Sequence, residues 1–392
     1  MSQSYNEVAA LSYPGELVNI LSYVHLRNIY RSTGVGRVSR ELTERLHATP
    51  GVNLHVLADP ADHSRVIPLI GNPWQAYQYH FFKSETSAQQ LRWILTNRPA
   101  AEHYWNDVDL VHCTAESYVP VRRARLVVTC HDAQHFEAGA HRQSVWLMKQ
   151  RLKWRLLFAR LEREVDMLQM ISHFAAERTA HFFPNLRDRL RVVPNAASDS
   201  FFAPADEQGK AVLHQLGVQG RPFVLVPGGL QFRKNADLIL DAWPAIAAAV
   251  PDVVLVIINH ADETYLPRAK ALGDRCVLAG FQDERQLVAL YQAATLVWFP
   301  TLYDGFGMPV IEAMASGTPV ISSNTTGIPE VAGNAAVLLS PTDAKAHVRN
   351  IIELLRDESA RAVLAALGRE RASEFTWDKS ASKLLAAFQS LV

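Results

Sequence analysis

Short runs of β-branched and aliphatic residues recur along this chain, each followed by a longer helical stretch. The alternation stops once and then starts again. LVNILSYV (17–24), VNLHVLA (52–58), LVHC (110–113), RLVVTC (125–130), MLQMIS (167–172) and LRVVPN (190–195) read as strands. They are apolar almost throughout, as strands covered on both faces must be, and helical segments such as TGVGRVSRELTERLHA (33–48) fall between them. That combination predicts a parallel sheet with helices on both sides. After Asn195 the segment AASDSFFAPADEQGK is small, polar and proline-containing, a linker composition. Strands then resume at PFVLVPG (222–228), DVVLVIIN (252–259), CVLAG (276–280), TLVWFP (295–300), PVISS (319–323) and AAVLLS (335–340), before a helix-rich tail from Asp343. The expected architecture is α/β, two doubly wound domains in tandem, which suits 392 residues better than one core. Such sheets bind ligands outside the carboxyl ends of their strands, so the cleft between the domains is the expected site.

Lys+Arg and Asp+Glu both number 39, so bulk charge gives no reason to expect nucleic acid. The cysteines, Cys113, Cys130 and Cys276, are odd in number and lie in or beside apolar strands, which suits reduced thiols in a cytoplasmic protein. MSQSYNEVAALSYPGE lacks the basic start and apolar stretch of a secretory leader, and no run approaches the length of a membrane span.

One segment carries more chemistry than the rest: TLYDGFGMPVIEAMASGTPV, 301–320. The strand TLVWFP ends in a Gly-Phe-Gly turn. Pro309 suits the first helical position and Gly317 the stop. Asp304 then lies on the loop and Glu312 about one turn into the helix. Gly305 and Gly307 let the backbone approach a ligand, and the amides of 305–308 with the helix dipole suit phosphate or sugar oxygens. A lone acid at a helix start is dipole decoration more often than not. Two acids around a glycine turn at the functional end of a strand favour a ligand. In VPGGLQFRKNADLILDAW (226–243), Arg233 and Lys234 follow a strand that ends in Gly228-Gly229, and could clamp a diphosphate. VVTCHDAQHF (127–136) ends a strand in His131-Asp132; His135 and His112 are read as structural. TGVGR (33–37) is the glycine turn of the first domain. No zinc spacing, Walker loop or nucleophile elbow appears.

FPTLYDGFGMPVIEAMASGTPVISSNTTGIPEVAGNAAVLLSP resembles the most characteristic region of the family 4 retaining glycosyltransferases. The family has the GT-B fold, two Rossmann-like domains facing a cleft. Its pattern is acid, seven residues, acid, the first acid normally Glu; Asp304 departs from it by one methylene. The resemblance implies domains at 1–199 (acceptor side) and 200–375 (donor side), with 376–392 crossing back to the first. It implies that Asp304 and Gly305-Phe306-Gly307 hold the donor sugar and Glu312 the ribose. Arg233, Lys234 and Gly229 would meet the diphosphate, Gly34 and Gly36 would lie under the phosphates or acceptor, with Arg37 beside them, and His131 would contact the sugar. The implied reaction moves a hexose from a nucleoside diphosphate sugar, GDP-mannose by preference, to a hydroxyl of a saccharide or lipid-linked acceptor, without metal or cofactor. An epimerase of the same fold and an inactive sugar-nucleotide-binding module are the alternatives; a phosphorylase would need a pyridoxal lysine motif that is absent.

HRQSVWLMKQRLKWRLLFARLERE (141–164) is basic and aromatic, seven Lys/Arg against Glu162 and Glu164. Such a helix suits peripheral contact with an anionic membrane, on the inner face for a cytoplasmic enzyme. The plainer reading is that its apolar stripe packs on the sheet while its cations line the acceptor side or are solvated.

Overall fold

The computed structural model describes residues 17–30, 34–137 and 139–392. The opening residues 1–16, on which the reading about a leader rests, and Thr33 of the first glycine turn lie outside this set.

The first sheet has seven parallel strands: β1 (Val18–Tyr23), β2 (Val52–Ala58), β3 (Gln78–Phe81), β4 (Leu110–Cys113), β5 (Arg125–Cys130), β6 (Met167–Met170) and β7 (Leu190–Val192), ordered β3-β2-β1-β4-β5-β6-β7. The second has six: β8 (Phe223–Val226), β9 (Val254–Ile258), β10 (Cys276–Gly280), β11 (Leu296–Phe299), β12 (Val320–Ser323) and β13 (Val337–Leu339), ordered β10-β9-β8-β11-β12-β13. Both are doubly wound, and every strand expected from sequence is present, four with the expected bounds and the others shortened by one to three residues. The addition is β3, QYHF, which among the described residues pairs only with β2. An edge strand is half solvated, so it never acquires the continuous apolar run that exposed the others.

In each sheet the chain reverses direction between two adjacent strands, β1 and β4 in the first, β8 and β11 in the second. The connections leave on opposite faces there, and the loops at the carboxyl ends part to form a crevice. This brings the loop after β8 beside the loop after β11, although they lie some seventy residues apart.

The cores are continuous between domains. One buried cluster runs from Val128, Leu168 and Ile171 of the first domain to Phe306, Val310 and Ile311 of the second. The last helix, Trp377–Gln389, joins the other face of the first sheet: Trp377, Leu384 and Phe388 pack with Ile20, Leu54 and Val127. Ser380 donates to the Pro194 carbonyl at 2.6 Å, and Arg125 Nε to the Leu391 carbonyl at 2.9 Å. Glu330 of the second domain accepts from the amides of His173 and Phe174, at 2.9 and 3.1 Å. It therefore serves the positive end of a first-domain helix, His173–Phe182, from across the gap. Among the described residues no helix is long and apolar enough to cross a membrane.

Candidate functional site

A cavity of about 1290 Å³ opens between the two sheets, larger than the ~300–1,000 Å³ of ordinary small-molecule sites. Its walls come from carboxyl-terminal loops: His131 and Asp132 after β5, Gly228, Arg233 and Lys234 after β8, Asn259 and His260 after β9, and Asp304, Gly305 and Phe306 after β11.

Lys234 lies at the end of a short 3-10 turn, Phe232–Lys234. Asn235, next in the chain, takes the left-handed conformation (φ 63°), and its side-chain Nδ2 donates to the Pro300 and Pro341 carbonyls at 2.9 and 2.8 Å. That tether fixes the turn against two neighbouring strand ends. The Lys234 ammonium donates to Asp304 Oδ2 at 2.6 Å and lies 4.5 Å from the centre of the Phe299 ring. Burial and the adjacent Arg233 guanidinium bring its pKa down to about 8, against the pull of Asp304. Arg233 donates to the Tyr303 carbonyl at 2.9 Å and stands 3.7 Å from Asp304. Lys234 and Arg233 together outweigh burial and hold the Asp304 carboxyl below its ordinary value.

Asp304 is occupied differently from what the family resemblance implies. Its Oδ1 accepts from the amides of Gly307 at 2.7 Å and Phe306 at 3.3 Å, while Oδ2 takes Lys234. A short carboxylate can turn back on amides two and three residues ahead, as Asx turns do. Asp304 thus shapes its own loop and secures Lys234. Two of the amides expected to face a ligand are engaged by it. Gly307, at φ 102° the residue preceding the helix Met308–Ala315, is set back from the cavity wall, whereas Gly305, Phe306 and Met308 form part of it.

Three other glycines have structural duties. A β-carbon on Gly305 would stand 2.7 Å from the His131 carbonyl oxygen, so its bareness allows the two domains to touch. Gly229 (φ 71°) is pressed against the His260 carbonyl, where a β-carbon would sit 2.0 Å away, and Gly228 is the one at the cavity wall. Gly36 lies inside the helix Gly34–Ala48 rather than in a turn; a β-carbon there would stand 1.8 Å from the Asn28 carbonyl oxygen. Gly36 permits close helix packing, and Gly34 lines the cavity.

Glu312 lies one turn into its helix, buried, and its two oxygens are held from opposite sides. Arg37 of the first domain donates to Oε1, and the Tyr291 hydroxyl donates to Oε2 at 3.0 Å. Burial raises the Glu312 pKa, with Arg37 and Tyr291 opposing.

His131 faces these groups from the first domain. Its backbone amide donates to Glu116 Oε1 at 2.5 Å, and its Nδ1 is 3.4 Å from the same oxygen. Burial alone would lower the His131 pKa, but the Glu116 carboxylate overcomes it and raises it. Among the described residues neither ring nitrogen has a hydrogen-bond partner. With Glu116 on the Nδ1 side, Nε2 is left for the cavity. Asp132 is pushed up to about 6 by burial.

Sequence reasoning passed over Glu116, Asp132 and Tyr291. Glu116 stands just past β4, the positional cue that singled out His131, and could have been found that way. Tyr291 sits mid-helix among apolar residues and looks like core. The chain also contains Asp107-Val-Asp109, but this precedes β4, at the opposite end of the sheet, where Asp109 accepts from the Asn19 amide at 2.9 Å. Among the described residues no group of three His, Cys, Asp or Glu side chains is gathered as a metal centre.

The helix Val145–Glu164 buries Leu147, Leu157, Phe158 and Leu161 and leaves a second apolar stripe in solvent: Val145, Met148, Leu152 and Leu156, with Trp146 beside it. Lys149, Lys153 and Arg155 are exposed along the same helix.

The site can therefore receive a polyanion at Arg233 and Lys234, hydroxyls at Glu312, and a hydrogen-bond acceptor at His131. Comparison with known proteins identifies the family. The family model described as "Glycosyl transferases group 1" matches residues 214–371, and that described as "Glycosyltransferase Family 4" matches 32–201. The O-antigen chain mannosyltransferase B of Escherichia coli is 26% identical over 377 residues, covering 92% of this chain and 97% of the relative. Among solved structures, sucrose-phosphate synthase from Thermosynechococcus elongatus superposes with a TM-score of 0.69 at 21% identity, over 95% of this chain and 99% of that one. Anabaena HepE in complex with UDP and glucose gives 0.69 at 17%, over 95% and 100%.

Proposed function

The chain belongs to the group 1 and family 4 glycosyltransferases of GT-B fold, and on that premise we propose that it is a retaining hexosyltransferase using a nucleoside diphosphate sugar. The observation that carries this is the meeting of Arg233, Lys234 and the Gly305 loop where β8 and β11 part. Two cations held against a buried carboxylate are pre-arranged for a dianionic leaving group and need no reorganisation as its charge develops. Arg233 and Lys234 stabilise the departing diphosphate, supplying charge that a metal ion would otherwise bring, so the transfer is proposed to be metal-independent. The sugar carbon becomes oxocarbenium-like, as in other glycosyl transfers. His131 Nε2 lies on the first-domain side to hydrogen-bond a sugar hydroxyl. Glu312 accepts from the ribose, and Asp304 acts through Lys234 and the loop amides rather than by direct contact. The incoming hydroxyl approaches from the first domain and passes its proton to the leaving diphosphate.

Mannose is proposed as the sugar and a saccharide or lipid-linked saccharide as the acceptor, supported by the relative named as an O-antigen chain mannosyltransferase. Thermal unfolding with GDP-, UDP-, ADP- and dTDP-sugars and their free diphosphates, without metal, tests the donor. One base should raise the midpoint, since a ligand of the folded state must do so. No shift with any of them, with or without a saccharide acceptor, would overturn the reading.

We further propose peripheral contact with the inner face of a membrane through Val145–Glu164, on the support of its exposed apolar stripe and exposed cations. The protein should float with vesicles of anionic lipid at low salt and be released at high salt; its absence from anionic vesicles at low salt would end this reading.

A further inference from the structure

Glu312 is the innermost carboxylate of the cavity, and its principal partner comes from the other domain. Arg37, one turn into the helix Gly34–Ala48, is buried against it. The Arg37 guanidinium carbon also lies 5.5 Å from the centre of the Phe201 ring in the linker, and among the described residues its buried Nε has no hydrogen-bond partner. The same helix crosses again at Arg40, which donates to Glu284 at 2.6 Å, while Glu41 accepts from Ser198 of its own domain at 2.6 Å. Arg37 differs from these because it alone both lines the cavity and holds a carboxylate that lines it.

We propose that Arg37 is a positioning residue for donor binding: it reaches across the cleft to keep Glu312 charged and aimed, so the donor site is complete only while the two domains are together. This rests on the reading that Glu312 accepts the ribose hydroxyls. A carboxylate accepts two hydroxyl donors at once, whereas its protonated form spends one oxygen as a donor. The groups facing Glu312 are few. Tyr291 donates one hydrogen bond, and Glu284, a like charge, disfavours the ionised form and is itself engaged by Arg40 and by Ser200 at 2.8 Å. Among the described residues Arg37 is thus the one full positive charge against Glu312, and with it gone burial and Glu284 act with Tyr291 in opposition. Domain separation would have the same effect as removing the side chain. Binding of the nucleotide would therefore favour closure without any contact between nucleotide and hinge.

The test is titration of the full chain with GDP, UDP and ADP at pH 6.0, 6.75 and 7.5. Dissociation constants are expressed as the ratio of variant to wild type, so the ionisation of the diphosphate, His131 and Asp132 cancels. For R37M the ratio should rise about tenfold from pH 7.5 to 6.0, since binding then requires Glu312 to lose a proton. For R37K it should stay nearly flat. A pH-independent ratio for R37M, with E312Q weakening binding at every pH, would overturn the proposal and leave Arg37 a structural ion pair. E312Q binding like wild type would overturn the underlying ribose reading as well. Should R37M not fold, R37Q is read in the same way.

Discussion

Replacing Lys234 with alanine lowers turnover by about 10²-fold or more, the size of losing one preorganised transition-state contact. The ammonium is fixed by Asp304 at 2.6 Å and by the Asn235 tether, and Arg233, bound to the Tyr303 carbonyl, cannot move into its place. The variant also leaves Asp304 without its closest cation, so the loop amides and Arg233, 3.7 Å away, must hold that carboxylate. Thermal unfolding should accompany the kinetics to separate the two effects. The pH dependence gives a second signature. Burial and Arg233 bring the Lys234 pKa down from its ordinary 10.5 to about 8, and an arriving diphosphate restores it upward. Binding therefore takes up a proton above pH 8, and donor affinity falls as pH rises through that value. The alanine variant should lose this slope. Near-normal turnover in a folded Lys234→Ala protein would remove the diphosphate clamp from the mechanism.

Gly36→Ala is the second large effect, and it falls on stability. The new methyl would overlap the Asn28 carbonyl, and the helices Leu26–Tyr30 and Gly34–Ala48 must separate to admit it. Overpacking of this kind costs about 3 kcal/mol. At roughly 2–4 °C per kcal/mol for a domain of this size, the midpoint should drop by about 6–12 °C. A midpoint within about 2 °C of wild type, together with a higher KM for donor, would restore the reading of Gly36 as a phosphate-loop glycine.

That glycine illustrates what a motif leaves open. Gly34 and Gly36 are alike in TGVGR: one lines the cavity and the other lets two helices meet. Gly228 and Gly229 divide in the same way. A glycine is required wherever a side chain would collide, and the colliding atom can be a ligand, as expected at Gly36, or a neighbouring backbone. Asp304 carries a related ambiguity. Its position marks the carboxyl end of β11, but whether it reaches outward to a ligand or back to the Phe306 and Gly307 amides depends on side-chain length and on Lys234 being opposite.

The sequence by itself determined the two doubly wound domains and the loops that line the cavity between them. These depend on local periodicity, on apolar runs long enough to be read, and on glycine and proline at strand and helix ends. Tertiary structure alone decided the pairings within the site. Lys234 meets Asp304 because β8 and β11 are neighbours at the point where the winding reverses. Glu312 meets Arg37, 275 residues away, because the domains close on each other. Glu116 meets His131 because β4 lies beside β5. Such contacts leave no trace in spacing, since a long-range pair is fixed by strand order and domain packing rather than by the residues between.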